Sequence, residues 1–451
     1  MSVPRTICLG FLVAIAIGTG LLMLPFAISP EGFATIDGPL DYIIKALFTA
    51  TSSVCVTGLS IVNVGEFYSI WGQVFLCLLF QVGGLGYMTA TTFLLLILGR
   101  KLGLRDKLAV QQSLDTPGIA GAKQLVRSII IVTAVVEIAG ALLLMQVFQP
   151  EYGFIRGLWL GIFHSISAFN NAGFSLFANS LSDYGTSTLA IAIVTGLIII
   201  GGIGYQTIVE TYTWIYRRFV KRSHRFSFSL NSKVVSSTTI ALLAIATLTF
   251  LQTEYQNPDT LAPLSFWHKL LAAWFQSVTV RTAGFNTIDI GQMTVPSLVL
   301  TLPLMLIGSS PGGTGGGMKT TTFRILLNAT IAALQERQEV LCYRRKIPND
   351  LLIKAVGVIV SSLLVIIVAT MLVSMTSTSI DFLPILFEVV SAFSTVGLSA
   401  GITANLSPIS LLVIIVTMYI GRVGILMLMA SFYDNPMPSV IRYSEEDLLI
   451  G

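Results

Sequence analysis

Charge is scarce in this sequence. Only 11% of its 451 residues are Asp, Glu, Lys or Arg, less than half the roughly 25% a soluble chain carries. That is too little to coat water-facing domains of this size, and it excludes a soluble enzyme or a disordered chain. The net charge of +4 leaves no electrostatic footprint for nucleic acid. Cysteine occurs four times, as Cys8, Cys55, Cys77 and Cys342, in unrelated segments without metal-ligand spacing. These read as packing residues or free thiols rather than a disulfide framework. What remains is apolar: 54% of the side chains are hydrophobic, the composition of a polytopic membrane protein surrounded by lipid.

Apolar runs cover roughly 7–29, 70–98, 125–149, 187–215, 234–252, 294–308, 354–376 and 408–433. Most approach or exceed the ~20 residues a helix needs to cross the hydrocarbon, which predicts an all-α protein with eight transmembrane helices. The first run, behind Arg5, is longer than a signal-peptide core and reads as a retained span. Basic residues orient the set. Three connections, 100–127, 217–233 and 319–354, hold 19 of the 26 lysines and arginines, all in every second connection. The positive-inside rule places them, and both termini, in the cytosol of a cell whose plasma membrane holds the protein. The tail from Tyr433 to Gly451, acidic at Glu445, Glu446 and Asp447, falls on the same side.

Four weaker segments, 41–60, 155–176, 266–287 and 381–400, start apolar and turn to Ser, Thr, Asn and Gly. If they crossed the membrane, the basic connections would no longer share one side, so they are expected to re-enter from outside. Non-helical backbone at that depth must line a cavity or be buried in protein. The segments are also copies of one another: FTATSSVCVTGLS, FHSISAFNNAGFS, WFQSVTVRTAGFN and FEVVSAFSTVGLS align on Gly58, Gly173, Gly284 and Gly397, spaced 115, 111 and 113 residues apart. Ten positions before the glycine stand Phe48, Phe163, Trp274 and Phe387; six before it, Ser52, Ser167, Val278 and Ser391. A second echo, G-x-x-G, recurs at Gly83–Gly86, Gly201–Gly204 and Gly421–Gly424.

Each unit is thus span, pore loop, span. The units divide the chain at 1–100, 101–216, 217–346 and 347–451, and all four share one orientation. Same-sense repeats pack around an axis along the membrane normal, so the four loops converge on a central pore. The predicted filter is Val56-Thr57-Gly58, Asn171-Ala172-Gly173, Thr282-Ala283-Gly284 and Thr395-Val396-Gly397. Loops this bare of charge suit a ring of backbone carbonyls around a dehydrated monovalent cation. Each preceding half-helix also points its partially negative C-terminal end at that ring.

These four ordered loops, spread over nearly the whole chain, resemble the Trk/Ktr/HKT potassium-translocating superfamily. With the first span beginning near residue 7, the likeness is greatest to its Ktr membrane subunits. The resemblance implies a potassium ion held at the filter by carbonyls, since glycine stands at position 58 where serine accompanies sodium preference. It also implies sodium stimulation, a homodimer in the lipid bilayer of a bacterial cell, and a cytosolic nucleotide-binding RCK ring as partner. No tightly bound cofactor is expected.

The sixth span breaks at Gly308-Ser-Ser-Pro-Gly-Gly-Thr-Gly-Gly-Gly-Met-Lys319, a composition no helix continues through. Met318 between the last glycine and Lys319 spoils a P-loop, and G-x-S-x-G over 308–312 lacks both a strand and a histidine base. The segment reads as a flexible gate across the cytosolic half of the pore, with Gly308, Gly312, Gly313, Gly315, Gly316 and Gly317 giving it freedom. In the superfamily, the corresponding stretch is the intramembrane gating loop. Lys319 is expected to add a mobile positive charge, and Arg422, a charge inside the last span, to face the pore beneath the filter. Arg281, three before Gly284, would brace its loop. Glu137 and Glu210 are single acids expected to be paired inside the bundle or at an interface rather than catalytic. The alternative function, a sodium- or proton-coupled secondary transporter with a closed midplane site, is disfavoured by same-sense repetition and a single broken helix. An enzyme is disfavoured by the lack of clustered acids, histidines or cysteines in the spans.

Overall fold

Among the described residues, four long helices alternate with four shorter ones that continue the spans, and a half-helix stands between the members of each pair. The computed structural model describes residues 3–86, 122–220 and 226–432. Most of the basic connection at 100–127, part of that at 217–233 and the acidic tail lie outside the described residues. The first unit runs α1 (Val3–Leu22), α2 (Pro39–Val54) and α3 (Ile70–Leu85); the second α4 (Ala122–Tyr152), α5 (Phe154–Phe169), α6 (Thr188–Gly202) and α7 (Tyr205–Ile215). The third runs α8 (Leu230–Glu254), α9 (Phe266–Thr279), α10 (Val295–Leu306) and α11 (Thr320–Leu334). The fourth runs α12 (Asn349–Thr376), α13 (Phe382–Phe393), α14 (Pro408–Val423) and α15 (Ile425–Phe432).

α1, α4, α8 and α12 are each long and apolar enough to cross a membrane alone. α12, at 28 residues, extends roughly 42 Å. One of its faces, with Val360, Leu364, Ile367 and Met371, is exposed and apolar, as a lipid-facing surface must be. The second spans α3, α6, α10 and α14 have only 16, 15, 12 and 16 residues. All start with the same device: Ser69, Ser187, Thr294 and Ser407 accept the backbone N–H three residues on. Each such cap contributes about 1 kcal/mol and fixes where the helix begins.

The G-x-x-G echo explains where the second spans end. Its first glycine packs the span onto the half-helix of its own unit: a methyl on Gly201 would lie 1.8 Å from the Phe169 carbonyl oxygen, on Gly421 1.7 Å from that of Phe393, and on Gly83 2.2 Å from that of Val54. Its last glycine takes a left-handed conformation, with φ +81° at Gly86, +90° at Gly204 and +84° at Gly424. There α6 turns into its continuation through 108° and α14 into α15 through 92°. The sequence predicts one broken span; the structure breaks α6, α10 and α14 and ends α3 at the same glycine. A lone G-x-x-G is compatible with an unbroken helix, and only the backbone conformation separates the two.

The half-helices α2, α5, α9 and α13 are largely enclosed toward their C-terminal ends, with Phe48, Phe163, Phe275 and Phe387 each at 0% exposure. A two-stranded hairpin (β1, Leu341–Cys342; β2, Arg345–Lys346) follows α11. Its turn residues Tyr343 and Arg344 both have positive φ, the geometry that matches strand twist in a two-residue turn. All four cysteine thiols are free and buried.

A carbonyl ring and the loop beneath it as the candidate functional site

Each half-helix ends in the same turn. Two residues before the aligned glycine the backbone is left-handed, with φ +56° at Val56, +56° at Asn171, +67° at Thr282 and +52° at Thr395. Non-glycine residues seldom adopt this conformation, and its recurrence four times in register is a constraint of the site. The glycine itself follows with φ between +71° and +91°. Side-chain hydroxyls hold the turns. Ser52 and Ser391 accept the N–H of Gly58 and Gly397, both at 3.1 Å, and Ser167 donates to the Phe174 carbonyl at 2.8 Å.

The third unit departs from the alignment by one residue. α9 ends at Thr279, five before Gly284, whereas α2, α5 and α13 end four before their glycines. The hydroxyl that pairs with Phe285, at 2.7 Å, nevertheless belongs to Thr279, five before the glycine, and not to position 278, six before it. The fully buried aromatic is Phe275, not Trp274, whose indole reaches Thr195 instead. Counted from these side chains, the third unit is one residue shorter before its glycine, which a gap-free alignment on the glycine hides. The Arg281 guanidinium reaches the Gly308 carbonyl at 3.4 Å.

The glycines form a closed ring. A methyl built on Gly58 would lie 2.6 Å from the Ala172 carbonyl oxygen, on Gly173 2.8 Å from that of Ala283, on Gly284 2.4 Å from that of Val396, and on Gly397 2.1 Å from that of Thr57. Each unit thus meets the next in the order one, two, three, four, and the fourth closes on the first. No side chain fits at these positions, so the axis is lined by backbone. A cavity of about 790 Å³ adjoins residues two beyond the glycines, its walls including Ser60, Asn286, Ser399, Asp259 and Asp289.

The segment 308–319 lies directly beneath the ring. Gly308 donates to the Met318 carbonyl (2.9 Å), closing the loop at its base. Ser310 and Thr314 donate to the Gly202 and Gly201 carbonyls, and Gly312 accepts from Tyr205 N–H, which ties the loop to the second unit. Gly316 N–H donates to the Thr395 hydroxyl at 3.0 Å. Side chains at Gly315 and Gly316 would collide with Thr282 and Thr395, one at 2.0 Å and one at 2.4 Å, and one at Gly313 with the Gly202 carbonyl. Gly317 has φ +68° and approaches the Ser394 carbonyl. Arg422 donates to the Thr314 carbonyl in this loop and to that of Gly83 in the first unit. The Lys319 ammonium, expected from the sequence as a mobile charge, is folded back on the Gly315 carbonyl at 3.0 Å. A buried triad the sequence did not assemble joins the first two units: Asn170 donates to Gln81 (2.8 Å) and Glu137 (3.0 Å), and Gln81 donates to Glu137 (3.2 Å). Glu210 accepts from Ser229 N–H and Gln206.

Comparison with known proteins places this geometry. The family model described as TrkH, cation transport protein, matches residues 26–442. The chain belongs to that TrkH family. Among other members, the Ktr system potassium uptake protein B of Bacillus subtilis is 40% identical, covering 99% of this chain and 96% of the relative. The protein of the same description from Vibrio alginolyticus is 37% identical over 99% and 95%. The potassium/sodium uptake protein NtpJ of Enterococcus hirae is 38% identical over 100% and 98%. The crystal structure of the potassium transporter TrkH from Vibrio parahaemolyticus superposes with a TM-score of 0.71 at 19% identity, covering 93% of this chain and 84% of that one. At that identity the match speaks for the fold alone, an all-helical multi-pass membrane architecture. TrkH-family members are transporters, not enzymes.

Proposed function

We propose that the chain is the ion-translocating membrane subunit of a potassium uptake system. The observation that carries this is the closed ring in which every filter glycine abuts the carbonyl of the next unit. The carbonyls around Val56-Thr57-Gly58, Asn171-Ala172-Gly173, Thr282-Ala283-Gly284 and Thr395-Val396-Gly397 replace the hydration shell of a potassium ion, and the ends of the half-helices add negative potential. Relatives named as potassium uptake proteins over nearly the full length support the choice of ion. The loop from Gly308 to Lys319 is the gate. It closes the cytosolic half of the pore, with Arg422 as its latch to the first unit. Two chains pair, each with its own pore, both termini are cytosolic, and a nucleotide-binding RCK ring moves the gate from below. Sodium stimulates uptake, in keeping with a relative named for both ions. Expression in a strain deficient in potassium uptake tests the reading, with Gly58→Ser beside it. Growth at limiting potassium is expected, with the variant shifted toward sodium; failure of the wild-type chain to support growth would overturn it.

A further inference from the structure

Behind the outer end of the carbonyl ring, each half-helix carries a buried polar side chain at one equivalent position. These are Thr49, His164 and Glu388, nine before their glycines, and Gln276, eight before Gly284 in the third unit, which is one residue shorter there, all at 0% exposure. Two residues after each glycine stand Ser60, Ser175, Asn286 and Ser399. In the second and fourth units the two positions are joined. Ser399 donates to Glu388 Oε2 at 2.7 Å, and Thr403 donates to the other oxygen. His164 Nε2 lies 3.0 Å from Ser175 Oγ, while its Nδ1 lies 2.8 Å from the Leu160 carbonyl. That carbonyl only accepts, so the proton of the neutral ring sits on Nδ1 and Nε2 faces the Ser175 hydroxyl, which also lies 3.2 Å from the Ser180 carbonyl. Phe177 stacks on the imidazole at 4.8 Å and fixes its plane. In the first and third units, among the described residues, no hydrogen bond joins Thr49 to Ser60 or Gln276 to Asn286. Gln276 turns to Met293, and Ser60 to the Val62 carbonyl.

The ring order puts the second and fourth units opposite each other. We infer that Glu388 and His164 are positioning residues which clamp two opposed filter loops at their outer ends, fixing the width of the carbonyl ring along one diagonal. Neither touches the ion; each acts through the serine beyond the glycine. Ser399 and Ser175 also accept the N–H two residues on, from Gly401 and Phe177, both at 3.0 Å. The clamp therefore holds backbone and not merely a side chain. A ring free to widen on both diagonals adapts to ions of different radius, so the clamps contribute selectivity rather than throughput.

The inference rests on the filter reading above, and its test separates the two. Ser399→Ala, Glu388→Ala, Glu388→Gln, Ser399→Ala with Glu388→Ala, and Gly58→Ser are compared as full-length chains in uptake-deficient cells. Initial rates of potassium and rubidium uptake are measured against sodium as competitor, normalised to folded protein in the membrane. Each alanine variant is expected to lower potassium-over-sodium discrimination about tenfold, as loss of a strong buried hydrogen bond does, with KM raised and the maximal rate kept. The double variant should be no worse than either single one, and Glu388→Gln, which retains an acceptor oxygen, should recover most of the loss. Unchanged discrimination in Ser399→Ala, or additive losses in the double variant, would overturn the clamp. If Gly58→Ser too leaves discrimination unchanged, the filter itself is misplaced.

Discussion

Gly284 and Gly153 offer a matched pair for testing the carbonyl ring. Both have φ +76°, so alanine at either costs about 1–2 kcal/mol of backbone strain. Their surroundings differ. A methyl on Gly153, at the start of α5, has no atom within 4 Å, whereas on Gly284 it lies 2.4 Å from the Val396 carbonyl oxygen. Real Cβ atoms essentially never come under 3.0 Å, so the shortfall of 3.0 less 2.4 forces that oxygen or its loop to move by about 0.6 Å. The methyl also meets the Gly397 and Gly173 α-carbons at 3.2 and 3.3 Å, which blocks relief sideways. A ring whose carbonyls replace a hydration shell tolerates little of this. Gly284→Ala should lower potassium-over-sodium discrimination at least about tenfold, ~1.4 kcal/mol. Gly153→Ala should lose similar thermal stability in detergent and keep its discrimination. Competitive uptake and a thermal-shift assay on the same preparations read both quantities. Equal losses of discrimination in the two variants, or none at Gly284, would refute the ring as the site of selection.

Other outcomes follow from the loop and the packing glycines. Deleting Gly312 to Gly317 removes the segment bonded to Gly201, Tyr205 and Thr395 and should raise flux through the membrane subunit alone several-fold; unchanged flux in reconstituted vesicles would contradict the gate. Arg422→Gln removes a charged donor to the Thr314 and Gly83 carbonyls. It should raise flux or alter potassium affinity with membrane abundance unchanged, whereas loss of abundance alone would make Arg422 a packing residue. Gly201→Ala puts a methyl 1.8 Å from the Phe169 carbonyl oxygen, while Gly196 on the same helix has open space. The first should abolish folded protein, and Gly196→Ala should stay within about 1 kcal/mol of wild type by thermal shift.

The repeat was legible because four copies of one solution carry the same residues at the same spacing. Phe48, Phe163 and Phe387, and the serines six before the glycines, mark positions where one side chain suits one environment. The third copy misled at Trp274 and Val278, since an alignment anchored at one glycine cannot show where the helix before it stops. The helix breaks at Gly204 and Gly424 were hidden for another reason. Glycine before an apolar run is compatible with straight and bent helices alike, and only the packing on the far side selects the bend. Glu388 gave a weak signal: one acid in an apolar half-helix, three residues before Ser391.

Composition and periodicity, then, determined that this protein is an all-helical membrane protein in which one loop pattern, nearly bare of charge, recurs four times. Those properties depend on transfer of side chains into lipid and on the chain's own spacing, and both are written residue by residue. Tertiary structure decided which carbonyl faces which glycine, that Lys319 folds onto its own loop, and that Arg422 bridges the loop to the first unit. It also paired His164 and Glu388 with the serines beyond the ring. Such contacts join residues up to 339 positions apart, and their geometry is set only when all four units close on one axis.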